Sequence, residues 1–265
     1  MTWNPLKKNH LTTRPSPVPQ VLDKTEERNL EIIFQKLQNL EETTKRLQKD
    51  MKKYLDSVSN VAKTEQKITS NLSTSALSHQ NEEFRKLTED YHSVTSQLSS
   101  SARELSTVNQ QTFQEPLKKF AGIFSNIDSA FHRREQLVQE WRNLAGKVRK
   151  LKERERTASN VLKLEREEKA LNLAANELLT YHTYLLTELT QLFEKRSDFF
   201  RPTLQALIRS QLEYYGNTTR LFTHLVPNVN ESSPSSAYLD PEFDSRISSK
   251  LDNIRALSIV RTKEN

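Results

Sequence analysis

The feature that most constrains this chain is a heptad repeat of apolar residues that begins at Leu30. Apolar side chains recur at alternating steps of three and four residues over six heptads, interrupted only by Thr44 and Glu65. Such a repeat predicts a long α-helix whose narrow apolar seam packs against other helices. Asp23 and Thr25 are both candidates for its N-cap. The seam residues are Leu30, Ile33, Leu37, Leu40, Thr44, Leu47, Met51, Tyr54, Val58, Val61, Glu65, Ile68 and Leu72.

Two further seams with similar spacing follow along the chain. The Ser-, Thr- and Asn-rich stretch 69–82 should loosen or end the first helix. A second helix is predicted from Phe84 to about Leu151, and a third from about Ser159 to Leu225. Pro116 and Pro202 fall inside these two helices, and the seams continue beyond them, so we expect kinks rather than ends. The third seam continues after its proline as Leu204, Ile208, Leu212, Tyr215 and Phe222.

The composition fits an all-α fold of three long, kinked helices. Apolar residues make up 34% of the chain and charged residues 28%, and three Gly and nine Pro leave few turns for a strand-rich fold. Narrow seams bury little surface within one chain. We therefore expect partner helices, most simply from a second copy.

The segments that flank the helices differ in composition. Residues 1–22 hold four prolines and no acidic residue, which predicts a basic tail, and 14–20 within it is predicted to be a spacer. Residues 23–225 form the predicted helical domain. Residues 226–265 are predicted to form a loop and a short amphipathic helix between Arg246 and Val260.

Positive charge is concentrated at the predicted end of the second helix. Residues 142–157 contain seven Lys or Arg against two Glu, whereas the whole chain has a net charge of +6. If Trp141, Leu144, Val148 and Leu151 form a buried stripe, a rotation of about 100° per residue gives a basic row on each flank. One row is Arg142, Arg149 and Arg156; the other is Lys147, Lys150 and Arg154; Lys152 adds a further charge.

Smaller basic groups lie along the predicted helices. They are Lys45, Lys49, Lys52, Lys118, Lys119, Arg133 and Arg134. A solvated helix face is one interpretation of such runs, and an anion-binding surface is the other. Residues 142–157 include no aromatic side chain for stacking on bases, so an anionic membrane is favoured over nucleic acid.

The residue inventory predicts neither an enzyme nor a metal or cofactor site. The chain has no Cys, its six His lack metal-ligand spacing, and its three Gly are isolated, so no phosphate-binding loop is predicted. No acid and base pair is identifiable. The N-terminus lacks the apolar core of a signal peptide, which leads us to expect a cytoplasmic protein.

Five segments in this order resemble the bridging integrator (amphiphysin-like) family of BAR-domain proteins, closest to its short members that consist of little more than the BAR domain. The likeness extends from residue 1 to about 260 and includes both internal prolines. The segments are "MTWNPLKK", "LEETTKRLQKDMKK", "EPLKKFAGIFSNIDSAFHRREQ", "RSDFFRPTLQALIRSQLEYY" and "IRALSIV".

The resemblance implies an antiparallel dimer of three kinked helices per subunit that forms a crescent. Its tips, where residues 142–157 would lie, and its concave side would meet curved anionic membranes. It also implies roles in membrane remodelling, endocytosis and actin organisation, with Rho-family GTPase signalling and cell division for the short branch. The subunits would pair as a homodimer or as a heterodimer with another BAR protein. Alternatives are a scaffold for small GTPases or cytoskeletal regulators with secondary membrane contact, and a plain coiled-coil tether.

The N-terminus departs from the family pattern. Some relatives carry an amphipathic helix before the BAR domain that wedges into the bilayer. The four prolines here leave room for at most one short helical stretch. Trp3 and Leu6 are the candidate apolar contacts with lipid, and packing of Trp3 on the dimer is the alternative.

Overall fold

The computed structural model describes residues 10–79, 81–225 and 241–257, and these form helices and connections without a strand. Three long helical stretches run through the described chain, which confirms the all-α prediction. The second of them contains one π-helical turn, Gln110–Gln114. The α-helices are α1 (Lys24–Ser73), α2 (Ala76–His79), α3 (Glu82–Asn109), α4 (Glu115–Lys152), α5 (Ala158–Leu225) and α6 (Pro241–Arg255).

The helices begin and end at local sequence signals. The Asp23 carboxylate accepts a hydrogen bond of 2.8 Å from the backbone N–H of Thr25, so Asp23 rather than Thr25 is the N-cap of α1. The helix ends at Ser73, inside the stretch that was expected to stop it. Asn81 caps α3 in the same way by accepting from the N–H groups of Glu83 and Phe84.

The chain remains helical across both internal prolines. Pro116 lies in the first turn of α4, directly after the wider π-helical turn, where its missing N–H is tolerated. Pro202 lies inside α5, which continues for another 23 residues to Leu225. Neither proline ends a helix, as predicted, and the kinks themselves stay a prediction.

The helices pack around two main apolar cores. The core nearer the N-terminus of α1 joins α1, α4 and α5 through residues such as Leu30, Phe124 and Leu185. Within it, the rings of Phe34 and Phe131 meet edge to face, with centroids 5.0 Å apart. The second core centres on the π-helical turn, and its buried residues are Met51, Leu55, Leu105, Phe113 and Leu117.

The predicted seams differ from the buried residues in the C-terminal halves of α1 and α5. In α1 the buried residues after Met51 are Leu55, Ala62 and Thr69, each one position after the predicted Tyr54, Val61 and Ile68. In α5 the buried positions beyond Pro202 include Thr203 and Ser210. Small side chains allow close packing of helices here, and the Thr69 hydroxyl hydrogen-bonds that of Thr95 at 2.8 Å. Several larger apolar residues of the predicted seams are therefore exposed, namely Val61 and Ile68 of α1 and Leu204, Ile208, Leu212 and Tyr215 of α5.

Residues 10–22 were expected to belong to a tail, but they lie against the helices as an extended strap. Leu11, Val18 and Leu22 are buried, the first against α1, α4 and α5 and the other two beside Leu137 and Leu178. The apolar residues of this segment are spaced irregularly, so no periodicity in the sequence predicts that the segment is docked. The prediction of a spacer at 14–20 is therefore wrong, whereas the domain division stays a prediction.

Four carboxylates of α1 and α4 hold the backbone of this strap. Glu41 accepts from the N–H groups of His10 and Leu11, at 2.7 and 3.2 Å. Burial alone would raise the pKa of Glu41, but Lys45 and the two N–H groups outweigh burial and lower it. The other three carboxylates also accept from strap N–H groups: Asp128 from Thr12 and Thr13, Glu135 from Ser16, and Glu27 from Val18.

The C-terminal helix begins earlier than predicted. Helix α6 spans Pro241–Arg255, whereas the expected span was Arg246 to Val260. Pro241 suits a first helical position, because its missing N–H has no partner there in any helix. Residues 258–260 of the expected span lie outside the described residues.

Candidate functional site

The basic stretch lies where α4 and α5 join. Helix α4 ends at Lys152 and α5 begins at Ala158, so residues 153–157 form the connection. Asn160 ties this connection to α5, because its side-chain amide donates to the Glu155 carbonyl at 2.8 Å and its N–H to the Thr157 hydroxyl at 3.3 Å. We call residues 142–166, which include this turn, the basic tip.

All seven basic residues predicted in this region are exposed. Two of them contact protein groups: Lys152 pairs with Glu168 at 2.9 Å, and Arg142 donates to the Pro17 carbonyl at 3.2 Å. The other five form no ion pair within the described chain and keep their charge available to a ligand. They are Lys147, Arg149, Lys150, Arg154 and Arg156.

The structure shortens the two predicted basic rows. Val148 is buried, and Trp141, Leu144 and Leu151 are half-buried, as the predicted stripe requires. Because α4 ends at Lys152, Arg154 and Arg156 lie in the connection and do not continue the rows. The helical rows are therefore Arg142 with Arg149 on one flank and Lys147 with Lys150 on the other.

The basic residues predicted on the helical body differ in their surroundings. Lys49, Lys52 and Lys119 are exposed. Lys118 and Arg133 are also exposed, but they form ion pairs with Glu115 and Glu177, at 2.7 and 3.0 Å. Lys45 is half-buried beside Glu41, where it supports the strap. The structure does not bring this set together at one place.

Arg134 is not a surface residue, so its prediction as a membrane contact is wrong. Its side chain is 1% exposed, and it donates to Nδ1 of His182 at 3.2 Å, to the Ser16 carbonyl at 3.0 Å and to Glu135 at 2.6 Å. Burial lowers the pKa of Arg134, and Glu135 counteracts this. The sequence held a signal, because Arg134 stands three residues after Phe131, at the next seam position.

An exposed apolar surface lies on the helical body, away from the basic tip. Its α5 residues were predicted as seam, yet they are 52–74% exposed in the single chain. Repeated exposed apolar side chains along a helix are candidates for an interaction site. We call it the body surface; its members are Leu47, Val61 and Ile68 of α1 and Leu204, Ile208, Leu212 and Tyr215 of α5.

Other kinds of site find little support in the described residues. Within 10–79, 81–225 and 241–257, no group of three or more His, Cys, Asp or Glu side chains is arranged to hold a metal ion. None of the helices described has a segment with the length and apolarity needed to cross a membrane. Trp3 and Leu6 lie outside the described residues.

Comparisons with known proteins show which family this chain belongs to. The family model "BAR domain" matches residues 20–231. Bridging integrator 3 of Rattus norvegicus is 34% identical over 260 residues, which cover 98% of this chain and 99% of that protein. "Regulator of cytoskeleton and endocytosis RVS161" of Candida albicans is 26% identical over 272 residues, covering 98% of each. A solved I-BAR domain of D. discoideum IBARa aligns with 87% of this chain and 100% of its own at 19% identity, with a TM-score of 0.48.

Proposed function

Because the chain belongs to the BAR domain family, we propose that it is a dimeric scaffold that binds anionic membranes and senses or generates their curvature. The observation that carries this proposal is the basic tip, where five exposed Lys and Arg side chains between Lys147 and Arg156 have no acidic partner within the described chain. The body surface supplies the apolar area that a second copy would cover.

The basic residues of the tip are numerous enough to supply the free energy of reversible membrane binding. Each Lys or Arg near an anionic bilayer contributes roughly 1 kcal/mol, and the attraction fades over a Debye length of about 8–10 Å. Five such residues supply a few kcal/mol per subunit, and a dimer with two tips doubles this. Binding should therefore be reversible and should weaken as salt rises.

We assign the cellular processes in which this protein acts by analogy with its relatives. One similar protein carries the cytoskeleton and endocytosis in its name. We extend actin organisation and endocytosis to this chain, and cell division with them, as functions of a protein that acts peripherally at membranes and the cytoskeleton. A scaffold for Rho-family GTPases or actin regulators is the alternative, and in it the charge of the tip would be dispensable.

Charge reversal at the tip tests this proposal. Vesicles of acidic and of neutral lipid are sedimented with the protein at rising salt. We expect wild type to sediment with acidic vesicles only, and Arg149→Glu with Lys150→Glu to abolish this. Lys195→Glu with Arg201→Glu, an exposed pair on α5 far from the tip, is the control that should retain binding.

Equal sedimentation with neutral vesicles, or full binding by the tip variant, would contradict the proposal. Separate reversal of Arg142 with Arg149 and of Lys147 with Lys150 shows which row faces lipid. If tip reversal abolishes lipid binding yet leaves activity in cells intact, the scaffold for protein partners is favoured.

A further inference from the structure

An apolar side chain stands exposed within the basic tip. Leu162, in the second turn of α5, is 68% exposed, and its neighbour Val161 is 39% exposed. The inner side of this part of α5 carries Leu164, Leu171 and Leu178, which are half-buried or buried. At about 100° per residue, Leu162 points away from that stripe, where an amphipathic helix normally carries polar residues.

A second copy does not account for this exposure. Leu162 precedes Leu204, the first α5 member of the body surface, by 42 residues, which is about 63 Å along a helix. A subunit that covers the body surface is therefore distant from the tip. Direct pairing of two tips would bring their like charges together, because residues 149–166 hold seven Lys or Arg against three Glu.

The surroundings of Leu162 match the chemistry of an anionic bilayer surface. Arg154, Arg156, Lys163 and Arg166 are all exposed near it in the chain. Long basic side chains can reach phosphate groups while an apolar neighbour enters the boundary between headgroups and acyl chains. We propose that Leu162, with Val161 at its edge, inserts into anionic membranes as an apolar wedge at the tip. This inference rests on the proposed membrane function.

The wedge is held on a formed helix. The Val161 N–H donates to the Thr157 carbonyl at 3.0 Å, and Asn160 bonds both Glu155 and Thr157. The first turn of α5 is therefore closed by hydrogen bonds before the protein meets lipid. Insertion then requires no folding of the segment, which avoids the entropic cost of ordering a disordered chain.

A fluorescent label at position 162 tests the insertion. The chain has no Cys, so Leu162→Cys can carry the only environment-sensitive dye, such as NBD, on the full-length protein. Thr180→Cys, exposed on the same side of α5 and about 27 Å further from the tip, is the control. We expect a blue shift and a several-fold rise in emission at 162 on acidic vesicles, and little change at 180.

Unlabelled variants provide the matched functional test. We expect Leu162→Ser to need about tenfold more acidic lipid for half-maximal binding, whereas Leu173→Ser, which removes a Leu that is 71% exposed, changes little. If wild type binds acidic vesicles but the dye at 162 stays in water, or both Ser variants behave alike, the wedge is overturned and the proposed function stands. If wild type does not bind acidic vesicles, both are overturned.

Discussion

Arg134 of α4 donates a hydrogen bond of 3.2 Å from Nε to Nδ1 of His182 on α5, and both side chains are buried. Because Nδ1 accepts, His182 is neutral and holds its proton on Nε2. The same guanidinium donates to the Ser16 carbonyl. One buried cation therefore joins two long helices and the N-terminal strap.

The neutral state of His182 predicts a loss of stability in mild acid. Burial, helped by the charge of Arg134, lowers the pKa of His182 from 6.5 to about 4. Between these values the unfolded chain binds a proton that the folded chain excludes, so the free energy of unfolding falls as pH drops from 6.5 to 4. The fall amounts to about 3 kcal/mol for this residue.

Urea unfolding at several pH values measures this effect. His182→Gln, whose amide oxygen can accept from Arg134, should lose less stability than wild type over that interval. His224→Gln, at an exposed position, should follow wild type. Parallel curves for wild type and His182→Gln would refute the assignment.

The adjacent residues Arg133 and Arg134 should respond differently to truncation. Arg134→Ala should lower the free energy of unfolding by about 3 kcal/mol, because it leaves buried partners without a donor. Arg133→Ala removes an exposed ion pair with Glu177 and should cost less than about 1 kcal/mol. Denaturation in urea compares the two, and equal effects would mean that Arg134 is exposed in solution.

The strap should contribute to stability through its buried side chains. Leu11→Ala should lower the free energy of unfolding by about 2–3 kcal/mol, because Leu11 is 1% exposed in the main core. It should also make residues 10–22 more sensitive to limited proteolysis. Thr12→Ala, which alters an exposed side chain but no backbone bond, is the control. Early cleavage of wild type in the strap would contradict the docked arrangement.

The body surface should govern association of two copies. Ile208→Glu with Leu212→Glu places two charges where the proposed interface excludes water, and should weaken the dimer by about a hundredfold or more. Light scattering should then give the mass of one chain, 30.9 kDa, where wild type gives twice that value. Leu173→Glu, equally exposed on α5 but nearer the tip, should leave the mass of the dimer unchanged.

The sequence predicted the long helices well, because periodicity and caps are local signals. The structure agrees with three of these predictions: Asp23 as a candidate N-cap, the end of α1 within residues 69–82, and helices that continue past Pro116 and Pro202. The buried stripe beside Val148 agrees as well. Over six heptads the apolar pattern recurs often enough to be recognised despite single exceptions such as Thr44.

Features that depend on several elements at once were missed. Periodicity favoured Val61 over Ala62, because it weights side-chain size and cannot show which neighbour approaches closely. The strap was missed because its bonds to Glu41 and Asp128 span 30 to 116 residues of sequence. The sequence predicts a surface charge at Arg134, because its partners Ser16 and His182 come near it only in the fold.

Sedimentation with small and large vesicles of the same acidic lipid tests the proposed membrane scaffold in a single assay. A dimer that senses curvature should bind more protein per unit of lipid on the small vesicles, and salt should release it from both. Neutral vesicles of the same two sizes are the control and should bind little. Binding that is indifferent to lipid charge and vesicle size would contradict the proposed function.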